Sequence, residues 1–419
     1  MNKYTIRHTT ESDLAELMPL FDHSRAIMRN NGNANQWVAG YPSTEVITND
    51  IHKKVSYVIC EDGTIAGTFA FIIGRDPTYE YIESGSWLND TRPYGTIHRI
   101  ACAEGHHGIF ETCINWCRGQ IPSLRIDTHA DNRIMLHLIT KHGFQHCGTI
   151  YIADGTPRQA FQIIDTQRLC APLTSFIEQN ILPQYDLFDN AHKQEHARTV
   201  IANSIELAQH YDVEINMVYT IAAYHDMGLT AGRERHHIVS AEIVKNDRNL
   251  RRWFDDEQIE TMAQAVEDHR ASADHAPRTI YGKIVAEADR DIEPLKIIMR
   301  TVQYGRNHYP ELGHEEQWQR AKEHLNEKYG RNGYLKLWLP ESNNAAQLEN
   351  LRNIIDDEES LREIFEKCFF STPKNRETAP LLHPHNNRTS KQDALGHFRH
   401  TEHNTLITTK LTIEILSFL

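Results

Sequence analysis

The sequence predicts a two-domain protein, with an α/β domain followed by an all-α domain. Residues 1–165 alternate short strand-like runs with helix-like patterns, whereas residues 186–370 follow a helical apolar spacing almost throughout. The intervening segment 166–185 contains two prolines and is predicted to be a linker. Residues 371–419 are rich in polar residues and poor in core formers, so we expect a flexible tail.

Bulk composition narrows the class of protein. The chain has 419 residues, of which 40% are hydrophobic and 24% charged, as is usual for a soluble protein with a large core. No run reaches the roughly 18 apolar residues of a membrane span, and no apolar signal core opens the chain, so we expect a cytoplasmic protein without a membrane partner. A net charge of −13 argues against a nucleic-acid polymer as partner.

The seven cysteines are an odd number without paired spacing, and no CxxC occurs. Buried free thiols in a reducing compartment fit this pattern best.

Within the first domain, several elements have clear sequence signals. Residues 4–7 predict a strand, and residues 10–29 a helix capped by Thr10 or Ser12. Residues 55–60 and 64–73 flank a Glu-Asp-Gly turn and predict a hairpin. Further strands are expected at 96–102, 123–128 and 148–152, and further helices at 109–117 and 132–141.

His225 and Asp226 are the most informative pair in the chain. They end an apolar helical run, residues 219–228, which closes on a glycine. An imidazole and a carboxylate are costly to bury there without a partner, and a divalent cation is the obvious one. His196 lies upstream and Asp289 downstream, each within a helical apolar pattern.

This ordered set resembles the HD-domain metal-dependent phosphohydrolase superfamily. The resemblance implies that His196, His225, Asp226 and Asp289 are metal ligands, with His225 and Asp226 central to catalysis. It also implies extra ligands at His237 and His269, where members with two metals have them. One metal is the simpler expectation; with two, Asp226 would bridge the ions.

The ligand types predict the metal and the chemistry. Histidine nitrogens with aspartate oxygens suit Mn, Fe, Ni, Co or Zn better than Mg or Ca. Such an ion lowers the pKa of bound water and attracts a phosphoryl oxygen, so we expect phosphoester hydrolysis. His192, Arg270 and Arg290 are the candidate substrate-binding residues beside the ligands.

The absence of two sequence motifs narrows the class of substrate. The Gly-Tyr-Pro extension of cyclic-dinucleotide phosphodiesterases does not follow the motif, and Met227 and Gly228 stand where alarmone hydrolases have Glu-Asp. A nucleotide or another small phosphoester is therefore expected.

The order of elements in the first domain resembles the GNAT acyltransferase family. The most specific match is Asp131-Asn132 followed by Gly143-Phe144. The resemblance implies a mixed, mostly antiparallel sheet with flanking helices, acetyl-CoA as cofactor and an amine as acceptor. The strand, loop and helix from residue 97 onward would hold the cofactor pyrophosphate at a helix N-terminus. The implied cofactor-binding residues are Ile100, Ala101, Cys102, Gly105, His107, Gly108, Ile109 and Asn132.

The sequence departs from that family in two places. Phe110 stands where the cofactor loop normally has a small residue, and Ile139 replaces a tyrosine that is often the general acid. Trp37 and Tyr41 are expected to line the acceptor pocket. Glu83 and His98 are the candidate general bases.

Three functional hypotheses remain open at this stage. The first is a bifunctional hydrolase and acetyltransferase. In the second, the GNAT-like domain binds acyl-CoA without transferring an acyl group and regulates the hydrolase. In the third, the whole chain is a non-catalytic binding protein.

Overall fold

The computed structural model describes residues 3–38, 40–188, 193–270 and 275–371. Residue 371 is described by its backbone alone. These residues belong to a single compact unit. The predicted tail, residues 371–419, lies outside the described residues apart from that final backbone position.

The N-terminal domain is built on a seven-stranded sheet of order β1-β2-β3-β4-β5-β7-β6. Every neighbouring pair is antiparallel except β4 and β5, which are parallel. The mixed, mostly antiparallel sheet expected from the sequence is thus confirmed. The strands are β1 Thr5–His8, β2 Ser56–Glu61, β3 Thr64–Ile73, β4 Gly95–Cys102, β5 Ser123–Thr128, β6 Gln145–Tyr151 and β7 Pro157–Ile164.

The predicted hairpin is formed by β2 and β3. Asp62 and Gly63 both have positive φ, at 50° and 84°, as a two-residue turn between antiparallel strands requires. Four helices flank the sheet, and α3 and α4 share a core with its central strands. They are α1 Leu14–Asn30, α2 Thr44–His52, α3 Ile109–Arg118 and α4 Arg133–Lys141.

Strands β4 and β5 separate after a short parallel contact. Their register runs only from Gly95 opposite Leu124 to Ile97 opposite Ile126. On the other edge of β4 the register with β3 shifts near Arg99, whose φ of 53° marks a bulge. Together these irregularities open the sheet beside the second half of β4.

The C-terminal domain is helical, as predicted. It centres on α7, all ten residues of which are buried, so this helix is apolar around its circumference. The helices are α5 Ala171–Asn180, α6 Gln194–Ala208, α7 Ile215–Tyr224, α8 His236–Asn246, α9 Asp256–Glu267, α10 Ile280–Ala288, α11 Pro294–His308, α12 His314–Tyr329, α13 Asn343–Asp356 and α14 Glu358–Ser371. Helices α11 to α14 enclose a separate small core.

The segment predicted as a linker is a packed connection. It contains α5 and a 3-10 turn, Leu182–Leu187, and buries Leu173, Ile177 and Tyr185 in the helical core. Its prolines lie in the first turns of these two elements, where no backbone N–H donor is needed.

All seven cysteines lie within the described residues and none of them forms a disulfide there; only Cys102 and Cys368 are not fully buried. None of the described helices is both long enough and apolar enough to cross a lipid bilayer.

Candidate functional site

The C-terminal end of helix α7 places His225 and Asp226 in the interior of the helical domain. His225 is the C-terminal cap of the helix and is fully buried. Asp226 follows it, and 4% of its surface is exposed. Tyr185 supports this helix end, because its hydroxyl donates to the carbonyl oxygen of Ala223 at 3.0 Å. The pair is therefore held by packing on all sides.

The first group of potential ligands surrounds one carboxylate oxygen of Asp226. Its Oδ2 lies 3.3 Å from His225 Nε2 and 3.7 Å from His196 Nε2. Asp289 completes the group, with Oδ1 3.1 Å from His196 Nε2 and 3.7 Å from His225 Nε2. The four residues that the sequence placed in this set come together as expected.

A second group faces the other oxygen of the same carboxylate. Asp226 Oδ1 lies 3.4 Å from His236 Nε2 and 3.5 Å from His269 Nε2. These two histidine nitrogens are 3.2 Å apart. Asp226 thus stands between two clusters, each with the spacing needed to hold an ion.

Backbone carbonyls select the tautomer of three of these histidines. Nδ1 of His225 donates to Ala222 at 2.8 Å, that of His269 to Val266 at 2.6 Å, and that of His236 to Arg233 at 2.7 Å. Their Nε2 atoms are then left with lone pairs directed at Asp226 and at each other. Such a convergence is repulsive unless a cation lies between the nitrogens, so the donor set fits a metal.

The electrostatics of the cluster support the same conclusion. Burial raises the pKa of Asp226, but electrostatic interactions with the surrounding rings of His225, His196 and His269 outweigh it and hold that pKa well below its usual range. Burial lowers the pKa of His196, but its hydrogen bonds to Asp226 and Asp289 prevail and raise it to about 9. The site therefore has a strong affinity for positive charge.

His236, rather than the predicted His237, is the histidine of the His-His pair that the structure brings to Asp226. It is the first residue of α8, its Nε2 lies 3.4 Å from Asp226 Oδ1, and its ring faces His269. His237 follows it about 100° around the helix, which turns its ring away from Asp226. Both residues precede a buried residue by one turn, Ser240 for one and Ala241 for the other, so apolar periodicity could not distinguish them.

Two of the three residues predicted to bind substrate lie within the described residues, and their contacts differ. Arg290 is buried against the domain, donating to the Glu287 carboxylate and, at 2.5 Å, to the Lys336 carbonyl, so its guanidinium is engaged within the domain and its substrate-binding role stays a prediction. Arg270 follows His269 directly, is half-buried, and donates to the Glu234 carbonyl at 2.8 Å. His192 lies outside the described residues.

A first cavity, of about 540 Å³, opens in the N-terminal domain where β4 and β5 part. Gly105 does not line it, although its φ of 79° and that of Gly108, 78°, shape the loop before α3. Phe110 packs against the core of the sheet, with only 6% of its surface exposed. The predicted cofactor residues that line the cavity are Ile100, Ala101, Cys102, His107, Gly108, Ile109 and Asn132.

A second cavity, of about 550 Å³, adjoins the first. Trp37 and Tyr41, which were expected to line an acceptor pocket, lie on its wall together with His98, a candidate general base. The two cavities share the lining residues Met28, Ile100, Asn132 and Met135. A ligand in the first could therefore present one end to a ligand in the second.

The two candidate general bases, Glu83 and His98, lie in different places. Glu83 lies on the surface, bonded to the Tyr151 hydroxyl, and lines neither cavity, so the structure does not bring it to His98 or to the predicted cofactor residues. The backbone of Glu83 bridges to β6 at Thr149, which directs its side chain away from β4. His98 lies in the second cavity with Nε2 3.1 Å from Asp76 Oδ2. Sequence reasoning missed Asp76, which lies in the long loop between β3 and β4 and carries no motif.

Comparisons with known proteins gave matches in both domains. Residues 194–292 match the family model of the HD domain. No curated protein matches the chain. Among solved structures, a GNAT-family acetyltransferase from Streptococcus agalactiae 2603 is 33% identical, covering 39% of this chain and 96% of its own, with a TM-score of 0.37.

Two further acetyltransferases are more distant. One from Staphylococcus aureus Mu50 is 23% identical over 38% of this chain and 98% of its own, with a TM-score of 0.29. A GNAT-family protein from Listeria monocytogenes 4b F2365 is 17% identical over 38% and 94%, with a TM-score of 0.31. On the 33% identity across nearly the whole streptococcal relative, the N-terminal domain belongs to the GNAT acetyltransferase family, and the helical domain contains an HD domain.

Proposed function

We propose that the helical domain, residues 186–370, is a metal-dependent phosphohydrolase that acts on a nucleotide or another small phosphoester. The observation that carries this proposal is the Asp226 carboxylate between two sets of histidine Nε2 atoms. His196, His225, Asp226 and Asp289 would hold one ion, and Asp226, His236 and His269 a second. Imidazole and carboxylate ligands favour Mn, Fe, Ni, Co or Zn.

The residues of the chain prepare this chemistry in defined ways. A bound divalent cation supplies Lewis acidity toward a phosphoryl oxygen and lowers the pKa of water. The carbonyl groups of Ala222, Val266 and Arg233 orient the ligand rings before any ion binds. Arg270, one residue from His269, would neutralise charge on the phosphate oxygens.

Phosphate release tests the hydrolase. With Mn²⁺ and a panel of nucleotides and small phosphoesters, we expect release by the wild-type protein and loss of both release and bound metal in Asp226→Ala. Asp256→Ala is the matched control, since this aspartate is exposed on α9, where it pairs with Arg251. A wild-type protein that binds no metal would overturn the hydrolase proposal.

A second function, acetyl transfer to an amine, is favoured by the two adjoining cavities. The first cavity would hold acetyl-CoA, with its pyrophosphate at the first turn of α3, whose backbone N–H groups have no partner within the helix. The second would hold the amine beside His98 and Asp76. On this view residues 1–165 form the transferase domain.

His98 is the base that the geometry supports. Burial raises the pKa of Asp76, but its hydrogen bond to His98 outweighs burial and lowers it, so the carboxylate stays ionised and orients the ring. His98 would take a proton from the amine nucleophile. Bound acetyl-CoA would supply the acetyl group as a thioester, with the CoA thiol as the leaving group and solvent as the source of its proton.

Thiol release with a panel of amines tests this transfer. His98→Ala should lower the rate about 100-fold, whereas Glu83→Ala, on the surface outside both cavities, should not change it. Acetyl-CoA binding without release from any amine would favour the alternative, in which this domain senses acyl-CoA and regulates the hydrolase. The burial of Ile139, where the family often has a tyrosine, supports that alternative.

A further inference from the structure

The segment 336–344, here named the clasp, joins the C-terminal helices α11 to α14 to the end of α10. It lies beyond residue 292, where the HD family model ends. Leu339 is 4% exposed and packs into the core of the helical domain. Glu341 accepts a hydrogen bond from the Tyr211 hydroxyl, which attaches the clasp to the loop before α7.

The clasp binds the last residues of α10 through several hydrogen bonds. Asn344 Nδ2 donates to the carbonyl oxygen of Glu287 at 2.8 Å. The Glu287 carboxylate, which is fully buried, accepts from the backbone N–H of Trp338 at 3.0 Å. Arg290 donates to the carbonyl of Lys336, so contacts come from both sides of residue 289.

These contacts surround the metal ligand that comes from α10. Asp289 is the C-terminal cap of the helix, between Glu287 and Arg290 in sequence. Helix ends normally leave carbonyl oxygens without partners and fray easily. Here the Glu287 oxygen accepts from Asn344 as well as from the backbone N–H of Arg290, and Asn203, from α6, donates to the oxygen of Ala288 at 3.2 Å.

We propose that the clasp, through Asn344, Glu287 and Arg290, positions Asp289 for metal binding, which makes the C-terminal helices part of the hydrolase centre. The inference rests on the proposed phosphohydrolase function, but it concerns metal affinity rather than turnover. Asn344 and Glu287 are positioning residues that act through the α10 backbone. They orient the Asp289 carboxylate toward His196 and His225.

The test is the affinity of the full-length protein for Mn²⁺ or Zn²⁺, measured by calorimetry. Asn344→Ala should raise the dissociation constant about tenfold, as removal of groups that orient ligands commonly does. Asn344→Asp keeps the shape but loses the donor, so it should weaken binding similarly. Asn353→Ala is the matched control, because Asn353 lies on the same helix α13 and its side chain accepts from Arg331 instead.

Thermal unfolding of the metal-free proteins separates positioning from stability. A purely structural role for Asn344 would lower the melting temperature and leave the metal dissociation constant unchanged. Wild-type metal affinity in both Asn344 variants would overturn the clasp proposal alone. A wild-type protein that binds no metal would overturn the clasp and the hydrolase together, so the two failures are distinguishable.

Discussion

At the scale of single residues, Asp226 is the residue on which the proposed metal site of the helical domain depends. Each of its oxygens faces a different histidine set, at distances of 3.3 to 3.7 Å. A carboxylate so placed can bridge two ions, whereas the sequence favoured one. The neighbouring pair His236 and His237 offers a direct way to count them.

Substitution of each histidine in turn should give different metal contents. His236→Ala removes a ligand nitrogen from the second cluster, so we expect one metal fewer per protein molecule. His237→Ala removes a ring that faces away from Asp226, so the metal content should not change. Elemental analysis after dialysis measures both, and equal loss in the two variants would contradict the assignment.

Asp13 is a second residue whose environment yields a prediction. It accepts two hydrogen bonds from Arg7, at 2.7 and 2.9 Å, and one from the backbone N–H of Thr10. The Arg7 guanidinium lowers the pKa of Asp13 to about 2. Because the folded-state pKa lies below the unfolded value, the stabilisation is complete above about pH 4 and disappears as the pH falls through about 2.

Asp13→Asn should therefore destabilise the protein near neutral pH but not in acid. We expect a loss of about 1 to 2 kcal/mol at about pH 6, reduced by solvent screening because Arg7 is half exposed. The difference from wild type should vanish near about pH 2. Denaturant unfolding at the two pH values measures it, and a difference independent of pH would contradict the ion-pair explanation.

At the scale of elements, the contact between α7 and α8 passes through Gly228. This glycine lies in the 3-10 turn Met227–Ala231 that follows Asp226. Its backbone N–H donates to Ser240 Oγ at 2.8 Å. A Cβ atom there would lie 2.3 Å from the His236 carbonyl oxygen, so only glycine permits this approach.

Gly228→Ala should displace α8 and withdraw His236 from Asp226. We expect a loss of about 1 to 3 kcal/mol in stability, together with a lower metal content. Ser240→Ala is the control, since it removes the hydrogen bond from Gly228 at a similar cost but leaves the approach of the helices unchanged. Metal content that falls equally in both variants would count against the steric argument.

At the scale of the whole molecule, a buried ion pair joins the sheet domain to the helical domain. Arg92, in the loop before β4, donates to the Glu214 carboxylate, and both side chains are less than a tenth exposed. Glu214 caps the N-terminus of α7, the helix that carries His225 at its other end. Nearby, Thr91 donates to Asp255 at 2.7 Å.

Arg92→Ala should destabilise the folded protein by about 3 to 5 kcal/mol, because it leaves Glu214 buried without its cationic partner. Addition of Glu214→Gln to that variant should recover part of the loss, since a neutral amide tolerates burial better. Urea unfolding of the three proteins gives the comparison. An Arg92→Ala variant as stable as wild type would show that the interface does not depend on this pair.

The sequence alone determined the two fold classes, and it named most of the residues that the structure brings together in each candidate site. Apolar periodicity identified α7 and the β2–β3 hairpin, because these patterns follow directly from which faces are buried. The motif residues His196, His225, Asp226 and Asp289 were named correctly as a spatial group. Residues such as Asn132 and Ile100 were likewise placed at the first cavity.

Only the tertiary structure decided how these residues are completed. It brought His236 rather than His237 to Asp226, because adjacent residues on a helix point about 100° apart and spacing alone does not say which faces a partner. It placed Arg290 against the clasp and Glu83 on the surface, because both placements depend on contacts distant in the chain. Asp76 joined His98 for the same reason: a loop residue without periodicity acquires its neighbours only when the strands assemble.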